Sequence, residues 1–566
     1  MITKVSDLKY ERYTIESGRA AFARFENAAK DAKCADEVLS ARDEFIAEMK
    51  HYSTATSLCN CRFTLNTRDS FYSAEVDYYD ENNPEFSDLL SKYAAIMLDS
   101  PFASEMKQKI NPRIYQMFEV QRKSFSPVII EDSKRENALV TEYSKLMSEM
   151  KFSFRGKEMP LSTLRGHLSS PDRETRREAA ESIGRGLMEN STELDRIFDE
   201  LVRVRTEIAR KMGYSDFVEL GYYRMGRIDY NREMIEKFRE NVLSDIVPVV
   251  SKIKRGVAKE LGISGIMFYD NDTYTGGDSP DPILDMKGIL NEAQVMYDKM
   301  SPITGEFMKN MMLAEAFDCE SRDGKWGGGY CTEFADYKQP FILANFNGTA
   351  ADIDVITHEF GHALASKFVF DGGDSELGIG GMETAECHSM SMEFLAWPYM
   401  ESFFGKNADL YKYKHMLDAL SFIPYGVIVD EFQHEIYSHP EYSPEERKAI
   451  YRKLEEKYRP YMSYEGIPYL DEGTRWQYQM HIYESPFYYI DYCLAQTVAF
   501  GFLIKSLENY PEAFQSYLSF TRRGGTVSFQ KLIADAGLSS PFESGALSKL
   551  AKKLLELQST LSEKLN

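Results

Sequence analysis

Apolar residues recur at three- and four-residue spacing through most of the first 150 positions, as in Phe45 and Met49 and again in Leu89, Leu90 and Tyr93. That period puts them on one face of an α-helix, and the Ala, Glu, Lys, Leu and Met between them favour helix. The pattern predicts an N-terminal helical region over residues 1–155 and a second region over 156–566. A helix start is expected at Ser170-Pro171-Asp172-Arg173-Glu174, with proline in the first turn and acidic residues near the positive end of the helix dipole. Between about Gly262 and Gly348 the helical period is lost, and Thr275-Gly276-Gly277-Asp278-Ser279-Pro280 has turn chemistry. Asp270 and Asp272 open like a calcium loop, but Tyr274 stands where the next oxygen ligand belongs and no glycine follows it, so a plain acidic loop is expected. Gly327-Gly328-Gly329 lacks the spacing of a phosphate loop; with the apolar run Phe341 to Phe346 it reads as a glycine turn feeding a small sheet. Leu547, Leu550, Leu554, Leu557, Leu561 and Leu565 form one apolar stripe, the mark of a packed terminal helix.

Composition narrows the function classes. The 566 residues are 43% hydrophobic and 28% charged, within the range of globular proteins. A formal charge of −22 repels phosphate backbones and anionic headgroups, so neither nucleic acid nor a membrane surface is an expected partner. The start leads into charged sequence, and no uninterrupted apolar run approaches the roughly 18–20 residues needed to span a bilayer. Seven scattered cysteines fit free thiols in a reducing compartment, and a cytoplasmic location is expected.

The segment that carries chemistry is His358-Glu359-Phe360-Gly361-His362. Residues four apart on a helix are separated by about 400°, so both imidazoles leave one face a turn apart and can reach one metal ion, with Glu359 beside it as a base. His434 and His439, five apart, diverge by about 140° and make no such clamp. A catalytic zinc site needs a third protein ligand, and a second helix is expected to return from near Met382 after glycines 372–381. Glu383, Glu386, Cys387, His388 and Glu393 are the candidates on it, and spacing alone does not choose among them. Glu386 and Glu393 share a helix face, so one can bind metal while the other braces a ligand. The strand Phe341 to Phe346 is expected to accept an extended peptide as an added strand, through Phe341, Leu343 and Asn345.

Gly328-Gly329-Tyr330, Pro340-Phe341, Asn345-Phe346-Asn347-Gly348-Thr349 and the histidine motif together resemble the M3 family of zinc oligopeptidases, in its oligoendopeptidase F branch. The resemblance extends to His481-Ile482-Tyr483 and to Pro486-Phe487-Tyr488-Tyr489-Ile490-Asp491-Tyr492. It implies a mainly α, two-lobed helical metallopeptidase with a deep substrate channel and a small sheet next to the active-site helix. One Zn2+ per chain would be held by His358, His362 and Glu386, with Glu393 behind them, in a metal site within 340–400. Glu359 would be the general base, and Tyr488, Tyr492 and His481, within 475–500, would stabilise the oxyanion. The implied activity is cleavage of internal bonds in short oligopeptides. A zinc carboxypeptidase is the alternative, with Arg475 as a carboxylate anchor. A non-catalytic peptide binder is another, in which Cys387 or His388 would close the zinc shell as a fourth ligand.

Overall fold

In the computed structural model, which describes residues 2–275, 279–372 and 374–565, the N-terminal helical period becomes three long helices, Ile15–Asp31, Ala35–Leu65 and Ser70–Asp99. Thr14 caps the first by accepting the Ser17 N–H, and Asp69 caps the third through the N–H groups of Phe71 and Tyr72. Their inner faces bring Phe22, Phe25, Phe45 and Tyr93 into one core, with the Phe45 and Tyr93 rings 4.9 Å apart. The helix expected from Pro171 begins at Arg173 instead. Asp172 is its cap and accepts the Thr175 N–H, which leaves Pro171 outside the first turn. Asp270 is buried and held by the guanidinium groups of Arg173 and Arg176, so arginine balances this loop's charge. Gly276, Gly277, Asp278 and Gly373, read above as turn residues, lie outside the described residues.

The chain forms two compact units, each assembled from three stretches: Met1–Arg122, Pro280–Tyr411 and Val498–Leu538 make one, and Lys123–Ser279, Lys412–Thr497 and Ser539–Asn566 the other. The first change of unit falls after Arg122, at the end of the helix Pro112–Ser124, whereas residue 155 lies in the turn of a short hairpin, Phe152–Phe154 with Lys157–Met159, inside the second unit; such a local break carries no signal of tertiary partners. In the first unit the N-terminal helices grip the segment 374–378. The Glu376 carboxylate accepts from the Arg42 guanidinium and, at 2.7 Å, from the Tyr93 hydroxyl, while Leu377 joins the N-terminal core. The terminal helix Ala546–Leu565, in the second unit, buries Leu547, Ala551, Leu554 and Leu561 of the leucine stripe region. Among the described residues one helix, Tyr489–Glu508, is long and apolar enough to cross a membrane, with a mean hydropathy of 1.2, and 67% of that stretch is buried within the protein.

Three strands form the sheet beside the histidine motif: β1 (Phe317–Glu320), β2 (Tyr330–Phe334) and β3 (Gln339–Phe346). Their order is β1-β3-β2, with Phe317 opposite Ile342 in the parallel pair and Cys331 opposite Ile342 in the antiparallel pair. β3 is therefore central, and the expectation that it takes up a peptide through Phe341, Leu343 and Asn345 does not hold. Phe341 and Leu343 are buried, and the Asn345 side-chain amide donates to the carbonyls of Trp326 and Gly328 at 2.9 and 2.8 Å. A continuous apolar run marks a strand covered on its faces, and here β1 and β2 also take both of its hydrogen-bonding edges. The edges of the sheet are β1 and β2.

β3 leads through Asn347-Gly348-Thr349 into helix α1 (Ala351–Phe370), which carries the histidine motif. Asp352 in its first turn accepts the N–H groups of Asn347 and Gly348 at 3.0 and 2.8 Å, tying the incoming loop to the helix start. Helix α2 (Met382–Leu395) returns against α1, as the glycine break predicts. At the crossing a Cβ on Gly361 would lie 2.4 Å from the His388 carbonyl oxygen and 2.6 Å from the Ser389 Cα, so only glycine permits this approach. Gly361→Ala is expected to destabilise the protein by about 1–3 kcal/mol through overpacking. The measurement is the urea-unfolding midpoint followed by circular dichroism, and an unchanged midpoint would show that α1 and α2 can separate freely.

Candidate active site

α1 presents His358, Glu359 and His362, and α2 presents Glu386 and Glu393. The Nε2 atoms of His358 and His362 lie 3.4 and 3.7 Å from the same oxygen, Oε2 of Glu386. Among the described residues this is the one group of three or more His, Cys, Asp or Glu side chains whose ligand atoms all lie within 4.8 Å of one another. Tetrahedral zinc with bonds of about 2.0–2.1 Å separates its ligand atoms by about 3.3 Å, close to the spacing found here. The donor set of two imidazoles and a carboxylate suits zinc. On the far side of the His358 ring, Nδ1 is 2.7 Å from Oε1 of Glu393, a hydrogen bond that directs Nε2 towards Glu386.

Burial works against charge on His358, but hydrogen bonds to Glu386 and Glu393 outweigh it and hold the pKa well above 6.5. Burial also penalises the Glu386 carboxylate, and the His358 hydrogen bond overcomes that and lowers its pKa. His362, buried and next to the charged His358, is pushed down to about 3. Glu359 is pushed up to about 7 by burial, with His358 opposing and Glu386 adding to the shift. The Cys331 main-chain N–H, on β2, donates to Glu359 and ties it to the sheet. Adjacent carboxylates thus sit in opposite states of proton affinity, the arrangement that separates a ligand from a base.

Cys387 and His388 are both fully buried and stand outside the group of converging ligand atoms. The His388 ring donates from Nε2 to the Ile379 carbonyl at 3.0 Å, so it fastens the preceding loop. Ser389 was not anticipated: its hydroxyl donates to Oε2 of Glu386 at 3.1 Å and helps orient it. Its position three residues after Glu386, on one helix face, was the available signal. Glu383 is buried one turn before Glu386, beside the Thr384 hydroxyl.

His481, Tyr488 and Tyr492 gather in the second unit. The His481 ring lies 5.7 Å from the Tyr488 ring and 6.2 Å from the Tyr492 ring, and the Tyr492 hydroxyl donates to that of Tyr488 at 3.0 Å. Arg475, the candidate carboxylate anchor, lies with its guanidinium 4.0 Å over the Tyr425 ring and donates to the Tyr425 hydroxyl. Tyr425 and Gln479, which links Tyr425 to His481, were not anticipated, because nothing in their spacing marks them.

Known proteins share this architecture. The profile of the peptidase M3 N-terminal domain matches residues 5–125, and that of peptidase family M3 matches residues 297–552. The structure is similar to PZ peptidase A, solved with an inhibitor, at 40% identity and a TM-score of 0.91, over 99% of this chain and 100% of that one. It is similar to a Bacillus anthracis str. Ames protein described as an oligoendopeptidase F, at 36% identity and a TM-score of 0.88, over 100% of both chains. The oligopeptidase PepF of Bacillus subtilis (strain 168) is 23% identical over 342 residues, 58% of this chain and 49% of that protein, so the chain spans about half the length of this curated relative. Full-length likeness at these identities, with both family profiles placed in chain order, establishes that the chain belongs to peptidase family M3, in its oligoendopeptidase F branch.

Proposed function

We propose that this peptidase is a zinc-dependent endopeptidase that cleaves internal bonds of short oligopeptides, with one zinc ion per chain held by His358, His362 and Glu386. The observation that carries the reading is the convergence of three ligand atoms on one point, with Glu359 one residue beyond the first ligand on the same helix. Zinc bound there supplies Lewis acidity, acidifying water and polarising a peptide carbonyl. Glu359 accepts a proton from the attacking water as its oxygen bonds to the carbonyl carbon. When the C–N bond breaks, Glu359 returns that proton to the leaving nitrogen, and the products are a carboxylate and a free amine. A carboxyl group whose proton affinity is raised by burial is suited to both transfers.

Glu393 keeps Nδ1 of His358 engaged and Nε2 aimed at the ligand cluster. The edge strand β2 offers main-chain groups to an extended peptide, which gives affinity without reading side-chain sequence. Tyr488, Tyr492 and His481 are assigned the donor groups for the developing oxyanion, on the strength of the family resemblance. All seven cysteines are free thiols, in keeping with action in the cytoplasm.

An internally quenched peptide with blocked ends, together with metal analysis, tests this function. Wild type is expected to contain one zinc and to cut between internal residues. Glu359→Gln is expected to keep its zinc while kcat falls by about 10²–10⁴-fold. Wild-type turnover in that zinc-loaded variant would remove Glu359 as the base, and failure of zinc-loaded wild type to cut a blocked peptide would remove the endopeptidase reading. Glu393→Gln is expected to weaken zinc affinity by about 10–100-fold in competition with a chelator. Equal affinity would show that Glu393 does not brace His358.

A further inference from the structure

In the second unit four side chains form one hydrogen-bonded line: Arg475, Tyr425, Gln479 and His481. The Arg475 guanidinium donates to the Tyr425 hydroxyl, that hydroxyl donates to Oε1 of Gln479, and Nε2 of Gln479 lies 2.9 Å from Nδ1 of His481. Arg475 also lies over the rings of Tyr425 and Tyr478, at 4.0 and 5.0 Å, and has no carboxylate at ion-pair distance among the described residues.

Donor and acceptor capacity gives this line a direction. Guanidinium has donors only, so the Tyr425 oxygen must accept, and its single proton is left to be donated onward. In this buried setting that proton needs an acceptor, and the acceptor is the Gln479 carbonyl oxygen. The Gln479 amide nitrogen then faces His481, and because it can only donate, Nδ1 of His481 must carry a lone pair. A neutral imidazole with a lone pair on Nδ1 has its proton on Nε2. The reverse amide orientation would aim donors from both Arg475 and Gln479 at the Tyr425 oxygen and leave its buried proton without a partner. Burial lowers the pKa of His481, which favours the neutral ring.

We propose that Arg475, acting through Tyr425 and Gln479, is a positioning residue that holds His481 as the Nε2–H tautomer, so that the imidazole meets substrate as a hydrogen-bond donor. The inference rests on the oxyanion role assigned to His481 above. It gives Arg475 a task different from anchoring a substrate carboxylate. With the tautomer reversed, Nε2 would present a lone pair to a developing negative charge.

The test is a long-range proton–nitrogen correlation on the full-length zinc enzyme labelled with 15N-histidine, with the His481 signals assigned by their loss in His481→Asn. Wild type is expected to show Nε2–H. In Gln479→Glu the carboxylate accepts from Nδ1, so the proton is expected to move there, with kcat falling about a hundredfold and KM little changed. Arg475→Met is expected to give a mixture of tautomers and a smaller loss, and Arg475→Lys, which keeps a donor-only cation, to restore the tautomer and most of the rate. If Gln479→Glu does not fold, the Arg475 pair carries the same comparison. A wild-type Nδ1–H signal, or Nε2–H in every variant, would overturn the proposal. A tautomer switch without loss of kcat would overturn the positioning role. Unchanged turnover of His481→Ala would then trace that failure to the oxyanion assignment and not to the hydrogen-bonded line.

Discussion

The site depends on how closely two helices can approach. At Gly361 the backbone of α1 meets the backbone of α2 at His388 and Ser389, with no room for a Cβ between them. Only at that distance can carboxylates on α2 reach imidazoles on α1. The surrounding structure holds the crossing from three sides. Asp352 fastens the entry into α1, the sheet supports Glu359 through Cys331, and the Arg42–Glu376–Tyr93 cluster anchors the connection between the helices. The N-terminal helices therefore contribute to the site without supplying any of its ligands.

Bringing several ionisable groups together away from water is costly unless each is compensated. Here compensation is arranged in a row: Glu393 on Nδ1 of His358, Glu386 on Nε2, and the Ser389 hydroxyl on Glu386. Glu359 stands outside this row and gains little from it, so burial dominates and its affinity for a proton rises. Glu386 and Glu359, the same functional group on two packed helices, are thus given opposite proton affinities by their neighbours.

The second unit uses polarity differently. Arg475 is spent on aromatic faces and a phenol oxygen, and its fixed donor character propagates through Tyr425 and Gln479 to His481. A charged group with no carboxylate partner among the described residues is justified when its direction of donation matters. The same guanidinium would be a plausible carboxylate anchor if judged from composition alone.

Local information was enough for the helical character, for the pairing of His358 with His362, and for a return helix near Met382, because helix period and glycine breaks are written in neighbouring residues. Local spacing left five candidates for the third ligand, and family resemblance preferred Glu386. Their separation in space follows from the Gly361 crossing, which no local pattern encodes. The role of Phe341 to Phe346 was misread for a related reason: an apolar run shows that a strand is covered, but its place in the sheet depends on β1 and β2 flanking it. Likewise the change of unit after Arg122, the grip of Arg42 on Glu376 and the line from Arg475 to His481 join residues whose spacing in the chain has no period. The sequence by itself determined which side chains could do the chemistry and which of them share a helix face. Tertiary structure alone decided which faces meet, because that is set by the packing of segments far apart in the chain.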